Sequence, residues 1–195
     1  MPGTFFGPFG TQYNTHAEPA GGNTGLYPLG HKLILPDGRE YRYVLNDATV
    51  EVAGRLYQSV ASVADHNNVA ADVARAIGAI LASATLGATL AAIDIYNEGI
   101  VHINDAVGEG YAYRIKRAHS AGEAHAAAAA SAVLTVNLAA GETIQVALDT
   151  TSEMSFTRNK YHQVLIKPAV PTARVTGVSP GVAAADRYYY SQVKG

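Results

Sequence analysis

The sequence predicts a mainly β protein: an antiparallel β-sandwich or barrel-like domain built from hairpins, with an extended N-terminal arm and at most one or two short helices. Three observations lead there. On either side of a glycine-bearing reversal, Val101 and Ile103, then Tyr111, Tyr113 and Ile115, alternate with polar or small residues. A period of two flanking a turn marks a hairpin. A shorter version lies upstream, where Pro36-Asp37-Gly38 makes the turn and Tyr41, Tyr43 and Leu45 alternate with Arg42, Val44 and Asn46. Short apolar runs between turn residues then recur as far as Val193, the spacing of an all-β chain.

Taken in order, residues 1–30 form the expected arm and residues 31–195 the β-rich domain. The arm holds three of the four phenylalanines, Phe5, Phe6 and Phe9, followed by Tyr13 and Tyr27 among glycines and prolines. Disordered tails are poor in large aromatics, so these five are candidate partner contacts, docking on the chain's own domain or on a neighbour. From His31 the pattern is regular: Lys32–Leu35 enters the first turn and Arg39–Leu45 leaves it. Thr49–Val52 and Arg55–Ser59 read as two more strands of a meander.

Residues 64–90 are ambiguous. Val69, Val73, Ile77, Ile80 and Leu81 fall at helical spacing behind possible caps at Asp65 or Asn68. Ile80, Ala82, Ala84 and Leu86 also alternate, and Gly78 and Gly87 each cost a helix about 1 kcal/mol relative to alanine. The reading is a short helix to about Ile77 and a strand to about Leu86. Beyond the central hairpin, residues 121–132 form an alanine-rich loop or short helix. Val133–Leu138 reads as a strand paired through Ala140-Gly141-Glu142 with Thr143–Leu148, and Ser155–Thr157 as a partner of His162–Lys167. Arg174–Val178 and Arg187–Val193 are the last two strand candidates. The final one, with Tyr188, Tyr189 and Tyr190, reads like the middle of a sheet, implying a partner strand from a neighbouring chain or a sequence cut short.

Composition narrows the function. Charged residues are 15% of the chain against about 25% in ordinary soluble proteins, so much of the surface is neutral and suited to contact with another protein. With 14 Lys+Arg against 16 Asp+Glu and no basic block, the footprint of nucleic-acid binding is missing. No cysteine is present, which excludes disulfide scaffolds and thiolate chemistry. The first cation is Lys32, so the start does not read as a secretory signal. Ala76–Ile93 is uncharged but mostly Ala, Gly, Thr and Ser, too weakly apolar to favour a membrane span.

Catalytic patterns are not evident. His16, His31, His66, His102, His119, His125 and His162 include no HxH, HxxH or HxxxH pair. The GxSxG spacing occurs once, at Gly177-Val178-Ser179-Pro180-Gly181, but a nucleophile elbow needs a helix after the serine and the next candidate element is the strand Arg187–Val193. Gly108-Glu109-Gly110 reads as a hairpin turn, because a phosphate cradle needs a following helix and no glutamate. The carboxylate pairs Asp94 with Glu98 and Asp149 with Glu153 sit in turn sequences that explain them. No metal, cofactor or catalytic residue is expected.

Several stretches together carry a resemblance. Leu35-Pro36-Asp37-Gly38-Arg39-Glu40-Tyr41-Arg42-Tyr43, followed by Ala53-Gly54-Arg55-Leu56-Tyr57-Gln58, resembles the opening of head decoration, or cement, proteins and related virion structural proteins of tailed bacteriophages. Thr85–Thr89, Tyr96–Gly99 through Asn104-Asp105 to Gly108–Tyr111, and Val146–Glu153 are similar as well, in the same order. The resemblance implies a mainly β, non-enzymatic protein on the outer surface of a phage head, made in the host cytoplasm without a signal peptide. Its partner would be the major capsid protein and its state a homo-oligomer, a trimer being favoured. It also favours strand over helix for Ile77–Leu86. From the residues alone a second reading stands beside it, a glycan- or receptor-binding β-module of a tail fibre or surface appendage. Tyr41, Tyr43, Tyr111, Tyr113, Tyr188, Tyr189 and Tyr190 are the candidate interface or stacking residues.

Overall fold

A computed structural model describes residues 4–6, 25–118 and 125–195. It is mainly β with antiparallel sheets, as the sequence predicts. The strands are β1 (Thr4–Phe6), β2 (Lys32–Ile34), β3 (Glu40–Leu45), β4 (Leu56–Gln58), β5 (Val69–Ala70), β6 (Leu81–Thr85), β7 (Ile100–Asp105), β8 (Ala112–Arg114), β9 (Val133–Asn137), β10 (Glu153–Thr157), β11 (Leu165–Ile166), β12 (Val175–Val178) and β13 (Tyr188–Lys194). A single 3-10 turn, Ala64–His66, is the helical element among the described residues. The chain divides into two compact units, one of residues up to Ala61 together with Lys160–Gly195, the other Ser62–Asn159.

The first unit is a seven-stranded sheet in the order β1-β2-β3-β13-β12-β4-β11. Its centre is the pair β3 and β13, aligned Tyr188 with Leu45, Tyr189 with Val44 and Tyr190 with Tyr43. Strand alternation sends Tyr188 and Tyr190 to one face, where they join Leu33, Leu35, Tyr41, Tyr43 and Leu45. Tyr189 goes to the other face, with Val44, Tyr57, Val164 and Ala183. Three consecutive tyrosines are therefore buried because this strand has a core on both sides. The β13 strand finds both neighbours, β3 and β12, in its own chain. The expected partner strand from another molecule is not needed.

The second unit has a four-stranded sheet, β5-β10-β7-β8, and a two-stranded one, β6-β9. Single antiparallel bridges join them at both margins, Ala71 to Ala84 and Ile115 to Leu138, so the six strands form a closed, wholly antiparallel ring. Closure removes open edges. Alternating side chains fill the inside: Val101 and Ile103 from β7, Tyr113 from β8 and Ile115 just after it, Leu134 and Val136 from β9 and Leu138 just after it, and Met154 and Phe156 from β10. The β6 strand contributes Ala82 and Ala84, each opposite a larger residue, Val136 and Leu134. The predicted hairpin is present, with Val101 facing Tyr113 across β7 and β8. At its turn Gly108 and Gly110 adopt φ of 89° and 87°, the left-handed region that glycine enters at little cost.

Several expectations are corrected. The helix to Ile77 is replaced by the 3-10 turn, by β5 and by an irregular strap. Asn68 and Gly78 take φ of 55° and 87°, and Arg75 pairs its backbone with Leu148, so tertiary pairing overrides helical spacing. Thr49–Val52 is not a strand, because Asp47 Oδ1 turns the chain by accepting the Thr49 N–H at 2.9 Å. The meander is broken, since β4 pairs with β12 and β11 rather than with β3. Thr143–Leu148 does not pair with β9, whose partner is β6. Nor does β10 pair with β11; it lies between β5 and β7. Residues 125–132 are not helical, and Ala128 bridges Ala91. Residues 121–124 lie outside the described residues.

Candidate interaction surfaces

The tyrosines singled out by the sequence are mostly core. Tyr41, Tyr43, Tyr113, Tyr188, Tyr189 and Tyr190 are all buried, so none offers a ring face to a sugar in this structure. Tyr43 stacks on Tyr188 with centroids 5.3 Å apart. Tyr111 differs: it is 41% exposed and lies parallel to Tyr113 at 6.2 Å. Of the arm residues, Tyr27 is half-buried and stacks on His31 at 4.6 Å. It also meets the edge of Tyr43 at 5.6 Å, so this part of the arm docks on its own sheet. Phe5 and Phe6 lie in β1, which pairs in parallel with β2. Phe9 and Tyr13, like His16 and His119, lie outside the described residues.

The polar residues that invite a catalytic reading are engaged in holding loops. His66 is fully buried; its Nε2 donates to the Thr89 carbonyl at 2.8 Å, which leaves Nδ1 to accept from the Tyr96 hydroxyl at 2.5 Å. Burial pushes the Tyr96 phenol up to about 12 against the pull of Arg158. Asp94 Oδ1 accepts the backbone N–H of His125 at 2.7 Å, and Glu98 pairs with Arg117 at 3.1 Å. Asp149 takes the backbone N–H and the hydroxyl of Thr151 at 2.8 and 2.6 Å, which holds its carboxyl below the ordinary range. Glu153, the remaining member of these pairs, opens β10 and accepts from the Asn68 side-chain amide. Among the described residues no three His, Asp or Glu side chains gather to hold a metal.

One buried acid was missed by the sequence reasoning. Glu51 is 1% exposed, in the first unit near Tyr57 and Tyr189, with no cation acting on it among the described residues. Burial pushes its carboxyl up to about 7; the two phenols pull it down, and Asp47 adds to the rise. Burial, reinforced by Glu51, raises Tyr57 to about 12 and raises Tyr189 as well. The local pattern is inverted relative to expectation: Val50 and Val52 are exposed and the glutamate between them is inside.

The surface itself is the remaining candidate site. In the second unit Ala91 and Ala128 exchange two backbone hydrogen bonds, 2.8 and 2.9 Å, and point inward. Their neighbours Leu90, Ala92, Ala127 and Ala129 are therefore turned outward. Leu90 and Ile93 are 59% and 61% exposed. The result is a neutral apolar strip made from two separate segments, assembled by pairing that neither segment announces alone. Comparison of the chain with known protein families, with curated proteins and with solved structures finds no match.

Proposed function

We propose that this chain is a structural virion protein, a decoration or cement protein that binds the outer surface of a phage head and stabilises the shell through non-covalent contacts. The observation that carries this reading is the strip of Leu90, Ala92, Ile93, Ala127 and Ala129 on a closed β scaffold. Contiguous exposed apolar surface marks a protein contact, and a chain with 15% charged residues has few groups to desolvate there. The sequence resemblance to head decoration proteins directs the choice of partner to the major capsid protein and favours a trimer. Many copies of a modest contact, repeated across a shell, add to a large stabilisation.

The test uses phage heads assembled without a decoration protein, mixed with the purified chain and sedimented. Wild type should pellet with the heads and raise their melting temperature. Leu90→Asp with Ile93→Asp should stay in the supernatant while retaining its circular dichroism spectrum. Wild type that fails to pellet refutes the proposal.

A further inference from the structure

The seven-stranded sheet of the first unit has a split. Strands β12 and β13 share one register pair, Val178 with Gln192, whereas β12 makes three with β4 and β13 six with β3, each pairing broken by one register shift, between Val175 and Gly177 and between Gln192 and Lys194. The strands meet closely at Gly177. A Cβ there would sit 2.4 Å from Ser191 Oγ and 2.6 Å from the Gln192 carbonyl, and φ is +146°. Only glycine lets the strands approach this closely, and beyond that contact they diverge. A groove of about 590 Å³ opens between Arg174–Val178 on one side and Gln192–Gly195 on the other.

The groove has a defined chemistry. Exposed Leu56, Val175 and Val193 give it apolar walls. Lys160, Arg174 and Lys194 supply its charge, and no Asp or Glu is among the lining residues. Lys194 is 3.5 Å from Glu40 outside the groove, and Lys160 sits over the Tyr161 ring at 4.8 Å. Arg174 is exposed and makes no ion pair among the described residues.

The geometry points to this groove as the seat of an extended, carboxylate-bearing peptide segment from a partner protein. Strand addition fits the observations: the segment's backbone continues the interrupted ladder between β12 and β13, alternate apolar side chains meet Val175 and Val193, and its carboxylates meet the three cations. The occupant is acidic because complementarity demands it; a basic segment would bring like charges together. This inference goes beyond the capsid reading and stands without it, since it concerns the other unit and a different contact.

The experiment uses the full chain and a short fluorescein-labelled peptide of alternating valine and glutamate, with a valine–lysine peptide as its counterpart. Fluorescence anisotropy should show binding of the acidic peptide that weakens with added salt, and none of the basic one. Arg174→Glu should weaken binding about tenfold. NMR shifts on titration should fall on residues 174–178 and 193–195. Failure of the acidic peptide to bind, equal binding of both peptides, or unchanged affinity in Arg174→Glu overturns the proposal.

Discussion

Replacing Glu51 by glutamine should change how stability depends on pH. In the folded chain the carboxyl is raised from 4.5 to about 7 by burial. Between those values the folded state holds a proton that the unfolded state releases, so stability falls as pH rises from about 4.5 through about 7. At about 1.4 kcal/mol for each tenfold change in proton affinity, the loss attributable to this group is about 3 kcal/mol. Glutamine mimics the neutral acid and does not ionise. Glu51→Gln should therefore match wild type near pH 4.5 and exceed its stability by about 3 kcal/mol near pH 8. Urea denaturation followed by tyrosine fluorescence reads the first unit, where most tyrosines lie. Asp37, Glu40 and Asp149 are shifted the opposite way, by hydrogen bonds and ion pairs, and weaken the fold as pH falls through the acid range. They are common to both proteins and cancel in the difference. A constant gap between the two curves across this pH range would refute the reasoning.

Two further substitutions test the architecture. Tyr43→Ala removes a fully buried ring stacked on Tyr188 and should cost about 3–5 kcal/mol, whereas Tyr111→Ala, at an exposed ring, should change stability by about 0.5 kcal/mol or less in thermal melts. Gly99→Ala places a methyl 2.4 Å from the Thr157 carbonyl and 2.8 Å from that of Tyr96; neither backbone group can yield easily, and a loss of about 1–3 kcal/mol is expected by chemical denaturation.

The parts legible in the sequence are those encoded locally. Pro36-Asp37-Gly38 and Gly108-Glu109-Gly110 carry their turn chemistry beside alternating strands, and both hairpins form. Strand identity was also legible for β9, β12 and β13. Pairing between distant segments was not. The alignment of β13 with β3 joins residues more than a hundred apart, and nothing in Tyr188-Tyr189-Tyr190 says which strand it meets. The helical spacing of Val69, Val73 and Ile77 is outweighed by backbone bonds such as Arg75 to Leu148, 2.8 Å. Candidate site residues suffered from the same limit. Tyrosines that alternate can serve a core or a surface, and only the neighbouring strands decide. The apolar strip and the β12–β13 groove are made by segments that are remote in the chain, while Glu51 was hidden by a Val-Glu-Val pattern whose two valines face outward.

The measurement that bears most directly on the proposed role is electron cryomicroscopy of phage particles that carry this chain. The account predicts regular density on the outside of the head, accommodating the seven-stranded sheet and the six-stranded ring in each copy, grouped at threefold positions. Particles whose only density for the chain lies in the tail, or inside the shell, would contradict it.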